Sequence, residues 1–361
     1  MIAPGGQGLR ILLIKPSAVG DVLHALPVLV RLRHRFPHAR IDWLIAPANL
    51  PLVAAHPALS HAPIFDRAGM ARFPLTLRSW KHLLRLARQL RQPGYDVVID
   101  LQGLLRSALL THLACAPIRL GFADARESAP AAYSHTAPAR QEREHAAMAN
   151  LRLAAILGTA ADPPAPDELA IHIPPADRLA GQQLLAEARL TDRRFVAIAP
   201  GTRWETKHWP AEHFATLACG LQQQGWPVAL IGPPAEAPTL AAVAGRAPHA
   251  VNLVGKTGLA ALAHLLANAA LLVTNDNGAM HIAAAVQTPV LALFGPTSPH
   301  RTGPLASPGR STVLQRDLPC SPCFLKRIRQ CPHHHTCMRE LEPAEALTAA
   351  INLLRPRPTG P

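Results

Sequence analysis

The chain has 361 residues, more than one hydrophobic core usually serves, so two domains of roughly 150 to 180 residues are expected. Apolar residues make up 49% and charged residues 16%, which excludes a chain disordered over most of its length. Lys and Arg outnumber Asp and Glu by 36 to 23, and the net charge of +13 predicts attraction to nucleic acid, anionic membranes or phosphorylated substrates.

The first apolar run, ILLI at 11–14, reads as a strand and continues through KPSAVGDVLHALP into helical pattern from about residue 22. Ligands of open α/β sheets bind at the carboxyl ends of parallel strands, where Asp21 falls. Asp21 is either an N-cap or, if the helix starts at Pro27, part of an ordered loop and free for chemistry. IDWLI at 41–45 and VVID at 97–100 are further strands. Between them, residues 78–91 place Leu83, Leu86, Ala87 and Leu90 on one helical face and Lys81, Arg85 and Arg88 elsewhere, so this helix is expected to cover the sheet. Cys115 and Cys219 lie singly in apolar helical stretches and read as buried thiols.

The proline-rich stretch around 159–178 cannot sustain a helix. It divides the chain into a first domain at 1–160, a linker at 161–178, a second domain at 179–340 and a final helix and tail at 341–361. In the second domain the strand and helix rhythm returns, with FVAIA at 195–199, VALIG at 228–232, LLVTN at 271–275 and VLALFG at 290–295, which predicts a second parallel sheet.

Two turns here have the composition of a site. APGTRWETKHWP at 199–210 offers the hydroxyls of Thr202 and Thr206 and the cations of Arg203 and Lys207, a set suited to a diphosphate, and Trp204 and Trp209 add to that reading in a chain with few aromatics. TNDNGAMHIAAA at 274–285 ends a strand and opens a helix. It places Asp276, Asn277 and Gly278 at the helix start, where backbone N–H groups attract phosphate or hydroxyl oxygens, with His281 one turn further on. Near the C-terminus, Cys320, Cys323, Cys331 and Cys337 include one CxxC pair. Four thiolates of this kind suit a structural zinc, with His333, His334 and His335 as competing ligands and reduced thiols or a disulfide as alternatives.

GDVLHALP, the KHWP loop and NDNGAMHIAAA followed by FGPTSP resemble the signature blocks of glycosyltransferase family 9, the ADP-heptose:lipopolysaccharide heptosyltransferases. DLQGLLRSALL and GFADARE resemble the family's acceptor-side region. The blocks occur in the family's order over about residues 10 to 340. The resemblance implies an α/β, GT-B fold of two facing Rossmann-like domains with parallel sheets. It implies Asp21 as general base on the acceptor hydroxyl and Lys207 at the donor phosphates with Thr202 nearby; should Asp21 not serve, His24 is the next residue to consider. It further implies Asp276 on donor sugar hydroxyls, Asn277, Gly278 and His281 at the same helix start, and Glu236 on the adenosine ribose. Arg106 and Arg126 would meet the acidic groups of the lipopolysaccharide inner core. The implied reaction is an inverting single displacement from ADP-heptose to Kdo or heptose, and no DxD triad occurs, so no catalytic metal is expected.

No apolar stretch approaches the ~18 residues of a transmembrane helix, and the apolar core at the start is too short for a secretory signal. A cytoplasmic protein is therefore expected, and the lipopolysaccharide acceptor implied by the resemblance adds peripheral contact with the inner membrane; a monomer is expected. A relative with another nucleotide sugar or acceptor is the main alternative. A nicotinamide dehydrogenase is disfavoured because GxGxxG follows none of the strands. A nucleic-acid-binding protein is disfavoured because no aromatic residue interleaves with a basic run and no known binding module is present.

Overall fold

The computed structural model describes residues 8–66, 69, 75–190 and 195–355, so the first seven residues and 356–361 of the expected tail lie outside the described residues. The chain forms two compact units that meet between His172 and Ile173, inside the proline-rich stretch.

The first unit runs β1 (Arg10–Ile14), α1 (Val19–Leu23), α2 (Leu26–Arg35), β2 (Arg40–Leu44), α3 (Leu77–Arg91), β3 (Val97–Asp100), α4 (Leu105–Leu113), β4 (Ile118–Phe122), β5 (His135–Ala137) and α5 (Ala146–Ala154). Its five strands are all parallel, in the order β2-β1-β3-β4-β5. Ile11, Leu12, Leu13 and Ile14 are all fully buried, the continuous apolar run of a strand covered on both faces. Leu83, Leu86 and Leu90 of α3 pack on Leu12, Ile14, Leu44 and Val98, so this helix covers the sheet with the face its periodicity predicts.

The second unit runs α6 (Pro175–Glu187), β6 (Val196–Ala199), α7 (Ala211–Gln223), β7 (Val228–Leu230), α8 (Ala237–Ala244), β8 (Val251–Asn252), α9 (Leu259–Ala267), β9 (Leu271–Asn275), α10 (Gly278–Ala285), β10 (Val290–Phe294), α11 (Pro299–Thr302), β11 (Ser311–Gln315), α12 (Thr336–Arg339) and α13 (Pro343–Leu354). Its six parallel strands follow the order β11-β10-β9-β6-β7-β8, which is the Rossmann order. Ala346 and Ala350 of α13 pack with Phe214, Leu217 and Leu221 of α7 in one core. The α/β class with two parallel sheets holds in both units. Among the described residues, no helix is long and apolar enough to cross a membrane.

Two expectations are corrected. Cys115 is exposed in the turn that ends α4, where its φ is 55°, and Cys219 is only partly buried, because the apolar stretches around them turn other side chains inward. The segment GDVLHA is not a loop. It holds the short helix α1, and α2 then starts at Leu26 with Pro27 second, where a missing N–H costs nothing.

Arg31 is one of the side chains that tie down the proline-rich stretch, beside the buried Leu169 and Ile171 within it. Arg31 of α2, buried in the first unit, donates from Nε and Nη2 to the two oxygens of Glu168 at 2.7 and 2.9 Å, and from Nη1 to Ala160 O and Asp162 O at 3.0 Å each. Arg31→Ala strands the mostly buried Glu168 carboxylate and four other acceptors. We expect the unfolding free energy of the first unit to drop by about 3 kcal/mol, read from urea denaturation.

Candidate functional site

In each sheet the strand order reverses once, and helices leave in opposite directions at that point, which opens a crevice at the carboxyl ends of the two strands. The reversal falls between β1 and β3 in the first sheet and between β6 and β9 in the second.

In the first unit, Lys15 follows β1 directly and is buried. It donates from Nζ to Leu101 O beyond β3 at 2.9 Å and lies 3.6 Å from Asp21 Oδ1. The other oxygen, Oδ2, accepts from Ala18 N–H at 3.0 Å. Asp21 is thus the third residue of α1 and not its N-cap, which is Ala18. Its side chain keeps 45% exposure, so the carboxylate is oriented yet open to a ligand. His24 is nearly fully buried, its ring edge-on to His145 at 4.8 Å between centroids, which makes it a packed residue.

The two acceptor-side blocks meet at the neighbouring strands. Asp100 ends β3 and accepts from the N–H groups of Gln102 and Gly103 at 2.9 and 3.0 Å and from Tyr133 Oη at 2.7 Å. Burial pushes its carboxyl above the usual range, against these hydrogen bonds. Gly103 sits at φ 65°, a left-handed turn conformation that favours glycine, and its carbonyl accepts from Arg126 N–H at 3.1 Å. Arg106, at the start of α4, and Arg126 are both exposed.

In the second unit the loops after β6 and β9 are stitched together. Asn275 donates to Pro200 O at 2.7 Å, Asn277 donates to Gly201 O at 2.7 Å, and Thr202 Oγ1 donates to Asp276 O at 3.4 Å. The Lys207 ammonium lies 2.6 Å from Asp276 Oδ2, which also accepts from Thr297 Oγ1 at 2.8 Å, and 4.6 Å from the centre of the Trp204 ring. The Glu236 carboxylate lies so close over Gly201 that a Cβ there would stand 1.7 Å from Oε2, which explains the glycine, and burial pushes this carboxyl up.

At the helix start, Asn277 is the N-cap of α10. Its Oδ1 accepts from Ala279 N–H at 3.0 Å and Met280 N–H at 3.4 Å, so the capping side chain already occupies two of the amides expected to attract an anion. Gly278 opens the helix and His281, one turn in, is buried. The structure therefore brings Thr202, Lys207, Glu236, Asp276, Asn277 and Gly278 together around one crevice. Trp209 differs from expectation. It is a core residue, buried against Phe214, with Nε1 donating to Leu341 O at 2.8 Å.

Sequence reasoning missed Lys15, Asp100, Tyr133 and Thr297. A lysine closing an apolar strand just ahead of Pro16 was the available signal for the first. The others depend on partners far along the chain.

Cys320, Cys323, Cys331 and Cys337 line one cavity of about 170 Å³ and are all free thiols. Burial and the three neighbouring thiols push Cys337 up to about 11. Among the described residues, no group of three or more His, Cys, Asp or Glu side chains is arranged to hold a metal ion. His335 instead donates from Nε2 to Thr206 O at 2.6 Å.

Two doubly wound parallel sheets, each with a polar cluster at its point of strand reversal, define an α/β protein of the class whose ligands bind at the carboxyl ends of the strands. The family model of glycosyltransferase family 9 (heptosyltransferase) matches residues 83–334. Lipopolysaccharide heptosyltransferase 1 of Pseudomonas aeruginosa is 34% identical over 325 residues, which span 88% of this chain and 87% of that protein. Lipooligosaccharide heptosyltransferase 2 of Haemophilus influenzae is 32% identical over 320 residues, spanning 85% and 88%. The solved ADP-heptose lps heptosyltransferase II of E. coli superposes with a TM-score of 0.77 at 25% identity, covering 96% of this chain and 98% of that one. The chain belongs to glycosyltransferase family 9 (heptosyltransferase), and it is a glycosyltransferase of the GT-B class.

Asn277 tests the stitching of the second crevice. Asn277→Ala removes the cap and both links to the β6 loop, and we expect it to cost about 2 to 3 kcal/mol in urea unfolding. Asn277→Asp keeps the cap but sets a carboxylate oxygen against Gly201 O and Ala199 O, so its cost, about 1 to 3 kcal/mol, reports the lost donations together with that repulsion.

Proposed function

We propose that this chain transfers a heptose from ADP-heptose to an inner-core sugar of lipopolysaccharide, Kdo or heptose, at the cytoplasmic face of the inner membrane. Beside family membership, the observation that carries this reading is the Lys207–Asp276 pair beside the start of α10. It sets a cation, a sugar-binding carboxylate and a helix N-terminus at one crevice, the set that a sugar diphosphate requires.

In this reading the acceptor hydroxyl oxygen forms a bond to the anomeric carbon while the bond from that carbon to the diphosphate breaks, inverting the centre. Asp21 of the first unit takes the hydroxyl proton. An aspartate is a weak base, yet it suffices once the oxygen has begun to bond and become acidic. Negative charge builds on departing ADP, and Lys207 of the second unit stabilises it. Asp276 and Thr202 hold donor hydroxyls and phosphate oxygens, and Glu236 holds the ribose. Arg106 and Arg126, both exposed beside the first crevice, meet acidic groups of the acceptor. The cation for the leaving group comes from Lys207, and the displacement needs no metal.

The test is incubation with ADP-heptose and lipopolysaccharide truncated before the first or before the second heptose, read by mass spectrometry of the lipid. One of the two acceptors gains a heptose, and neither doing so overturns the reading. Asp21→Asn keeps an oxygen for the Ala18 N–H but cannot accept the proton, so turnover falls ~100-fold or more while ADP affinity stays unchanged. Lys207→Ala costs ~2 to 4 kcal/mol in transition-state stabilisation, read as kcat/KM. Near-normal turnover of the first variant removes Asp21 as the base, and near-normal kcat/KM of the second removes Lys207 from the leaving-group site.

A further inference from the structure

Lys15 stands beside the Asp21 carboxylate with much of its hydrogen-bonding capacity unmet. An ammonium carries three N–H donors, and Leu101 O accepts from one of them at 2.9 Å. Asp21 Oδ1 lies 3.6 Å away, close enough for attraction and too far for a hydrogen bond. Among the described residues no other acceptor meets Nζ, although the side chain is only 9% exposed. Buried donors without acceptors are costly and call for a physical reason. A lysine that served only to tie β1 to β3 and to balance Asp21 would be expected to close on the carboxylate, and this one does not.

The spacing suits one hydroxyl oxygen held between the two groups. Asp21 Oδ2 is taken by Ala18 N–H at 3.0 Å, which leaves Oδ1, on the Lys15 side, as the open oxygen, and the 45% exposure of this side chain gives the approach. An oxygen about 2.8 Å from both Nζ and Oδ1 spans the 3.6 Å edge with about 80° between its two hydrogen bonds, and about 90° once the pair parts by ~0.4 Å. A hydroxyl has one hydrogen and two lone pairs. With the hydrogen given to Oδ1 and one lone pair accepting from Lys15, the second lone pair points away from both groups and is free to attack. That lone pair forms the bond to the anomeric carbon. The O–H electron pair stays on oxygen as the proton passes to Oδ1, and the electron pair of the breaking bond leaves with the diphosphate.

We infer that Lys15 is a second catalytic residue beside Asp21, whose ammonium donates to the attacking acceptor hydroxyl and aims its free lone pair. The inference rests on the proposed function, with Asp21 as the base.

The experiment is a cycle between Lys15 and the hydroxyl it is inferred to touch. Its ligands are the water-soluble, deacylated acceptor that gains the heptose and an analogue lacking the reacting hydroxyl, with dissociation constants measured by calorimetry in the presence of ADP. We expect the wild type to prefer the hydroxyl-bearing ligand by about tenfold or more. Lys15→Met, which keeps the stem and removes the donors, should reduce that preference to about threefold or less. Its kcat should fall about tenfold or more while KM for ADP-heptose stays within about twofold, because the donor contacts belong to the second unit. An unchanged hydroxyl preference, whatever the melting temperature, makes Lys15 a structural tie and overturns the inference, as does near-normal kcat. Lys15→Gln is one bond shorter and uncharged but still able to donate to Leu101 O, and it makes the same comparison should the methionine variant not fold. Asp21→Asn is assayed alongside. Full activity there removes the base and this inference with it, whereas lost activity there with an unchanged hydroxyl preference in Lys15→Met removes only the role of Lys15.

Discussion

The second unit depends on three consecutive side chains at the end of β9. Asn275 and Asn277 each donate to the backbone of the loop that follows β6, and Asp276 between them holds Lys207 from the far end of that loop. Two neighbouring parallel strands necessarily deliver their carboxyl ends side by side, but nothing in the sheet ladder holds the loops beyond them. The alternation of amide, carboxylate and amide does so. Asn275 and Asn277 satisfy backbone carbonyls of that loop, and Asp276 is held by Lys207 and Thr297. The loop is long and rich in charge, so without these links its ordering would have to be met at the moment a ligand binds.

The first unit solves the same geometric problem with one buried cation. Lys15 ties the end of β1 to the carbonyl of Leu101 beyond β3, 86 residues away, and stands beside Asp21. Asp100 then organises the turn after β3 and, through Tyr133, fixes the segment that carries Arg126. Arg106 and Arg126 are exposed, while Asp100 and Gly103, which organise the turn between them, are buried and Tyr133 is half-buried. Buried support beneath exposed, charged side chains suits a surface that meets a charged ligand.

Legibility from sequence followed the range of the forces involved. The buried strands were visible as apolar runs, and α3 was visible through its 3.6-residue period, because both signals are local. Strand β4 was obscured by Arg119 and Gly121 within it, β5 and β8 are too short to show a pattern, and β11 is a half-buried edge strand. The turns at Asp21, Lys207 and Asp276 were found because helix starts after strands leave a compositional mark. Their mutual distances were invisible, since Lys207 meets Asp276 only through the pairing of β6 with β9. Trp209 was misread for a related reason. Rarity of a residue type marks large buried side chains as readily as sites, and burial against Phe214 together with the hydrogen bond to Leu341 O distinguishes the two.

The two aspartates separate by environment, not by motif. Asp276 is nearly buried, with Lys207 and Thr297 both on Oδ2 and its backbone carbonyl taken by Thr202, so it is held as a fixed acceptor beside the cation. Asp21 accepts one backbone N–H, lies at a longer distance from Lys15 and keeps nearly half of its side chain open. A carboxylate locked in a short ion pair gives up that pair if it takes a proton, which suits it to holding hydroxyl groups. One that is oriented but incompletely satisfied can accept a proton with little rearrangement. That asymmetry of environment does not depend on the sequence blocks, and it is consistent with the proposed base in the first unit and the proposed donor clamp in the second.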